Sequence, residues 1–148
     1  MSFIRSLFCA FLLMSMTGLM AHAEGNGGLA GDWIIRVTDE ENPSFSGTAR
    51  VTYDTETDAY TAHLITQDTC CDGQNYAKVR QTGQLQFEDG MIILTPEINE
   101  FLVREEGLPH ITYAPDNFEL RRVDAKTLSG KLNTFTEVVW TKELQAIS

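Results

Sequence analysis

Apolar and polar positions alternate along most of the chain after residue 30, and turn residues interrupt the alternation at short intervals. The clearest run covers residues 77–87, where one face carries apolar residues, Gln81 and Gly83 and the other carries charged and amide side chains. Alternation with period two predicts a half-buried antiparallel strand with one solvated side. The run is long for a flat strand, and Gly83 on its buried face indicates a bend of the kind that barrels need.

The same pattern predicts eight strands, most of them joined by loops of hairpin length. They cover residues 33–38, 47–53, 59–67, 77–87, 91–95, 117–123, 128–134 and 137–142. Asp89-Gly90, between the fourth and fifth strands, is a strong hairpin signal. Repeated hairpins between neighbouring strands favour an up-and-down barrel over a sandwich, and closure removes exposed edges. The predicted fold class is therefore all-β, with a single eight-stranded antiparallel barrel.

Residues 96–107 do not follow the alternation. A short helix or lid segment is one interpretation, because Pro96 suits the first helical position and Gly107 suits a position beyond the end. Three apolar residues would then share a helix face, namely Ile98, Phe101 and Leu102. The same residues also permit a strand, and both interpretations stay open at this stage.

The start of the chain is predicted to be a cleavable signal peptide over residues 1–23. Arg5 supplies a positive charge, an apolar run extends from Leu7 to about Met20, and Ala21-His22-Ala23 is a small-x-small cleavage site. Cleavage after Ala23 would leave residues 24–148 as one domain, periplasmic or secreted, with no membrane span after processing. An uncleaved N-terminal anchor is the alternative.

Charge narrows the range of partners. The chain carries a formal net charge of −10 and has a calculated pI near 4.6. An acidic surface repels both nucleic acid and anionic membranes, so neither is an expected partner. It is compatible with a cationic partner, and it also keeps an exported protein in solution.

The beginning of the first predicted strand resembles a known superfamily. Gly31-Asp32-Trp33, followed by seven more hairpin-linked strands, is similar to the opening of the lipocalin-like (calycin) β-barrels. In that superfamily a Gly-x-Trp motif opens the barrel, the Trp closes one end, and a basic residue on the last strand packs across the indole. Gly31 and Trp33 match the motif, and Lys142 stands where the superfamily usually has Arg. The chain is also similar to small exported bacterial proteins of this general shape.

The resemblance implies that residues 24–148 form a lipocalin-like cup for a small apolar ligand. The predicted function is an exported, non-catalytic barrel protein that binds a small, largely apolar ligand. Four aromatic residues in predicted strands are the candidates to line the barrel: Trp33, Tyr60, Phe118 and Trp140. The alternative is a protein-binding module, such as an inhibitor of or accessory to an exported enzyme, that uses residues 97–116.

Cys70 and Cys71 are the only cysteines after residue 23, and they are adjacent in a polar loop between the third and fourth predicted strands. A disulfide between neighbours is strained, because their Cα atoms are about 3.8 Å apart, below the usual disulfide range. Strained disulfides are the more reducible ones, so a vicinal bond could act as a redox or ligand-gating clip. Free or packed thiols and a bridge to another molecule remain the alternatives.

Other chemistry has little support in the sequence. There is no Gly-x-Ser-x-Gly nucleophile motif and no glycine-rich loop before a helix that could hold phosphate. His63 and His110 stand at no ligand-like spacing to the cysteines, and a Cys-x-x-Cys motif is absent. We therefore expect no enzymatic activity, no metal and no cofactor.

Overall fold

The computed structural model describes residues 28–38, 44–70, 75–104 and 114–144. Nine strands lie within these ranges: β1 (Gly31–Val37), β2 (Phe45–Asp54), β3 (Ala59–Cys70), β4 (Asn75–Glu88), β5 (Met91–Leu94), β6 (Glu97–Arg104), β7 (Phe118–Asp124), β8 (Thr127–Leu132) and β9 (Thr136–Lys142). The described ranges contain no helix, and so none that could cross a membrane. For residues 97–104 the strand interpretation is confirmed and the helix is wrong, while residues 105–107 lie outside the described ranges.

Eight of the strands close into an antiparallel ring, which confirms the predicted barrel. The order around the ring is β1, β2, β3, β4, β5, β7, β8 and β9, and β9 pairs with β1 again. The ring is continuous because β3 also pairs with β4. Their register runs from Thr61 opposite Gln84 to Cys70 opposite Asn75. On the other side, Trp33 of β1 lies opposite Lys142 of β9.

The ninth strand, β6, lies outside the ring and follows β5 along the same edge of β4. Leu94 of β5 lies opposite Leu85, and Glu97 of β6 lies opposite Thr82. The junction between the two strands packs against Gly83, where an added Cβ would lie 2.8 Å from the Leu94 side chain. A larger residue at position 83 would therefore push the junction away from β4.

The inward faces of the ring fill the barrel interior with apolar side chains. Trp33, Tyr60, Phe118 and Trp140 are each at most 1% exposed. The Phe118 ring stands edge-on to Trp140 at 5.0 Å between centroids, and Phe45 lies tilted against Phe118 at 6.4 Å. These separations are typical of aromatic pairs that contribute beyond their buried area.

One end of the barrel, which we name the closed end, is covered by residues 28–30. Leu29 is buried, and its carbonyl oxygen accepts a 2.9 Å hydrogen bond from Trp33 Nε1. Lys142 Nζ lies 5.5 Å from the centroid of the Trp33 ring and donates a 3.2 Å hydrogen bond to the carbonyl oxygen of Gly28. This is the contact between a basic side chain and the indole that the resemblance implied.

Replacing Trp33 by Ala should lower the free energy of unfolding by about 3–5 kcal/mol, the usual loss for a large buried aromatic side chain. Lys142→Ala should cost only about 1 kcal/mol, because the ammonium contributes a partly solvated cation–π contact. Chemical denaturation of both variants checks these values, with Leu144→Ala as a control because Leu144 is 72% exposed. A loss below about 1 kcal/mol for Trp33→Ala would contradict the packing described here.

Candidate ligand cleft at the barrel mouth

The end of the barrel opposite Trp33, which we name the mouth, contains a cleft of about 510 Å³. β1 ends here, β2 begins here, and β8 turns into β9 here. Phe45 and Leu132, each 5% exposed, supply apolar surface to the lining. Phe135, at the tip of the β8–β9 hairpin, also lines the cleft and is 87% exposed. The cleft thus combines a buried apolar part with an aromatic ring at its rim.

The turn that carries Phe135 has an unusual backbone. Asn133 and Thr134 both have positive φ, at 49° and 73°. Asn tolerates this left-handed region, whereas a β-branched Thr is strained there. Asn133 is tied to the segment before β7, because its Oδ1 accepts a hydrogen bond from the Asn117 amide and its own amide donates to the Asn117 carbonyl oxygen. These two bonds set the position of Phe135 at the rim.

Three carboxylates also line the cleft, and they differ in what they contact. Glu137 forms an exposed ion pair with Lys131 at 3.3 Å. Asp116 is 3% exposed and is held by hydrogen bonds inside the barrel. Asp68, on β3, is partly buried and forms no ion pair within the described ranges. The three carboxylates therefore differ both in burial and in what neutralises or solvates them.

Asp116 belongs to a buried polar network with Thr66 of β3 and Gln81 of β4. Its Oδ2 accepts hydrogen bonds of 2.6 Å from Thr66 Oγ1 and 2.6 Å from Gln81 Nε2. The Asp116 backbone amide donates back to Gln81 Oε1 at 2.9 Å. Burial of a carboxylate is costly unless such bonds replace its hydration. The network fixes the segment before β7 against the inner faces of β3 and β4, next to the cleft.

Within the described ranges, Asp68 has no comparable set of side-chain donors. Burial raises the pKa of the Asp68 carboxyl, and a hydrogen bond from the Thr69 backbone amide offsets part of this increase. A raised pKa means that the folded protein disfavours the charged form of this group. At neutral pH the cleft thus holds a carboxylate that has lost part of its hydration and has no positively charged partner among the described residues.

The four aromatic candidates from the sequence lie elsewhere in the barrel. Trp33, Tyr60, Phe118 and Trp140 pack in the apolar core, and none of them lines the cleft. Sequence analysis did not identify the cleft residues. The sequence did contain one indication of the Asp116 network. Gln81 falls on the apolar face of its strand, and a buried polar side chain needs a hydrogen-bond partner.

The cysteine pair remains a prediction. Cys70 ends β3, and Cys71 lies outside the described residues. His63 is exposed on β3, with its Nδ1 3.4 Å from Thr82 Oγ1, and His110 also lies outside the described residues. The residues that the structure does describe contain no group of three or more His, Cys, Asp or Glu side chains that could hold a metal ion.

No protein-family model and no curated protein sequence matches the chain. The chemistry of the cleft therefore has to be inferred from its own residues. Three features define it: the partly dehydrated carboxylate of Asp68, the apolar surface of Phe45 and Leu132, and the exposed ring of Phe135.

Asp68→Asn should raise the free energy of unfolding at pH 7 by less than about 1 kcal/mol, because a partly solvated charge is removed. The pKa of Asp68 is higher in the folded state than the ordinary value of 3.8, so its charged form opposes folding above the folded pKa. Below pH 3.8 both states are protonated, and the advantage of the variant should disappear. Denaturation at several pH values measures this dependence.

Asp89→Asn is a matched control for the same charge change. Asp89 is exposed in the β4–β5 turn with φ of 50°, a backbone conformation that Asn tolerates well. Asp89→Asn should not raise the free energy of unfolding at pH 7 in this way, and its stability relative to the original protein should not change as the pH is lowered. A lower stability of Asp68→Asn at pH 7 would mean that the Asp68 carboxylate is stabilised by the fold rather than disfavoured.

Proposed function

We propose that this protein binds a small molecule with a cationic head and an apolar body in the mouth cleft. The observation that carries the proposal is Asp68, a partly buried carboxylate without an ion pair in the described chain, in a cleft that Phe45 and Leu132 also line. A volume of about 510 Å³ is within the usual range for small-molecule sites.

A cationic head suits this cleft on three grounds. A positive charge next to Asp68 would compensate for the hydration that the carboxylate has lost. The exposed ring of Phe135 offers a face for a cation–π contact of about 0.5–1 kcal/mol. The net charge of −10 raises the local concentration of cations around the whole molecule.

The apolar body of the ligand would lie against Phe45 and Leu132. Deeper positions on the inner faces of the strands are filled by the aromatic cluster around Trp33 and Trp140. We therefore place the ligand at the mouth. The predicted preference for a largely apolar ligand applies in this proposal to the body of the molecule and not to its head.

The wider assignment is also part of the proposal. We place the chain among the lipocalin-like barrels, on the ring closure and on the contact between Lys142 and Trp33. The apolar start of the chain with its Ala21-His22-Ala23 site supports export and a periplasmic or secreted location. The role is that of a non-catalytic binding protein.

Titration with octylammonium and with 1-octanol tests the proposal, because the two probes share an apolar chain and differ in charge. Isothermal titration calorimetry should give an affinity for octylammonium at least about tenfold higher, which corresponds to about 1.4 kcal/mol. Asp68→Asn should remove this preference, whereas Asp89→Asn should keep it. Equal affinities for the two probes would point to a purely apolar ligand, and no binding of either would overturn the proposal.

A second candidate function is supported by β6. This strand lies outside the ring, and Phe101 and Val103 are 39% and 42% exposed. An edge strand with exposed apolar side chains can receive an extended segment of another protein through backbone hydrogen bonds. Such a role fits the alternative of a protein-binding module that acts on an exported partner.

Val103→Lys tests this second function, because a charge on β6 should weaken docking by at least about tenfold if the side chain is covered by the partner. Val123→Lys is the matched control, since Val123 is 62% exposed on β7. Pull-down from the exported fraction of the source cells, with quantification of any retained protein, measures the effect. A partner that both variants retain equally would exclude β6 as its docking site.

A further inference from the structure

Two basic side chains converge on one backbone carbonyl at the closed end of the barrel. Arg122 Nη2 and Lys142 Nζ each lie 3.2 Å from the carbonyl oxygen of Gly28. The two nitrogen atoms are therefore no more than 6.4 Å apart, which is twice that distance. Two positive charges are held this close in a chain whose net charge is −10.

Glycine residues allow this approach. A Cβ added at Gly28 would lie 3.3 Å from Arg122 Nη2. Gly31 has a φ of 136°, and a Cβ there would lie 2.7 Å from Lys142 Cε. The backbone can thus pass close to both basic side chains, and the centroid of the Trp33 ring lies 5.5 Å from Lys142 Nζ.

Neither basic group has a carboxylate partner in the part of the chain that the structure describes. The ion pairs found there are formed by Arg50, Arg80 and Lys131. Burial lowers the pKa of Lys142, and the nearby charge of Arg122 lowers it further. The positive charge of Arg122 thus acts on Lys142, and no described carboxylate neutralises either group.

Both side chains also retain unused hydrogen-bond donors. A guanidinium has five N–H donors, and Arg122 uses its Nε on the Asp124 carbonyl oxygen and its Nη2 on that of Gly28. An ammonium has three donors, and Lys142 uses one of them on Gly28. The remaining donors belong to the planar guanidinium of Arg122 and the ammonium of Lys142. Two such groups side by side suit an oxyanion.

We propose that Arg122 and Lys142 bind a phosphate-type dianion at the closed end of the barrel. Two negative charges match the two positive ones, and a tetrahedral oxyanion can accept from the guanidinium and the ammonium together. This site lies at the end opposite the mouth, so it does not depend on the ligand cleft. The anion is either free in solution or part of a lipid head group.

Titration with inorganic phosphate at low ionic strength tests the proposal. In NMR spectra the indole N–H signal of Trp33, which lies beside Lys142, should shift with saturation, while that of Trp140 should shift much less. Arg122→Gln should weaken phosphate binding at least about tenfold. The matched control is Arg121→Gln, because Arg121 is the exposed neighbour on the same strand and should change the affinity less than about twofold.

Several outcomes would overturn the site. These are no saturable shift for the folded protein, an unchanged affinity in Arg122→Gln, or an equal loss of affinity in the Arg121 and Arg122 variants. If Arg122→Gln does not fold, Lys142→Gln provides the test, because it removes one of the two positive charges and should weaken phosphate binding at least about tenfold. An unchanged affinity in this variant would overturn the site.

Vesicles distinguish the two sources of the anion. A lipid head group would be supported if the protein binds phosphatidylglycerol vesicles but not phosphatidylcholine vesicles, and if Arg122→Gln abolishes this binding. Phosphate binding without any vesicle binding would support a free anion, and we expect this result because the acidic surface repels anionic membranes.

Discussion

The interior of a closed eight-stranded ring has to be filled, and this requirement shapes the whole molecule. Small barrels of this size leave just enough space inside for side chains. Here Trp33, Tyr60, Phe118 and Trp140 occupy that space, and ring contacts link Trp140 to Phe118 and Phe118 to Phe45. Because these large rings pack the core, the proposed binding surface lies at the mouth, where polar side chains such as Asp68 and Asn133 lie beside Phe45 and Phe135.

Two carboxylates at the mouth illustrate how one chemical group can serve different purposes. The Asp116 carboxylate accepts hydrogen bonds from Thr66 and Gln81 inside the barrel, and the Asp116 backbone amide donates to the Gln81 side chain. Asp68 lies in the same cleft without such side-chain donors among the described residues, and burial raises its pKa. Strand alternation places Gln81 on an inward face. It cannot indicate that Asp116, which is 35 positions away and outside any strand, supplies the partner.

The contrast between β4 and β6 shows which part of the fold could be predicted and why. Alternation runs unbroken through the central part of β4, so both the strand and its buried face followed from the sequence. In β6, two register shifts against β4 change the spacing of the residues that face the same way. Ile98, Phe101 and Arg104 lie opposite Gln81, Val79 and Ala77. Bulges therefore convert a period of two into a spacing of three, which resembles a helix in a linear sequence.

The ring closes through its first and last strands, and this has a consequence for how the chain is made. The hydrogen bond from Lys142 to Gly28 spans 114 positions. A ribosome adds about 5–20 residues per second, so β1 waits roughly 6–23 s for β9 to be synthesised. Until then the edges of β1 and β8 can pair with other chains. Loss of β9 (Thr136–Lys142) would make this exposure permanent, so this strand is as necessary to the barrel as the core.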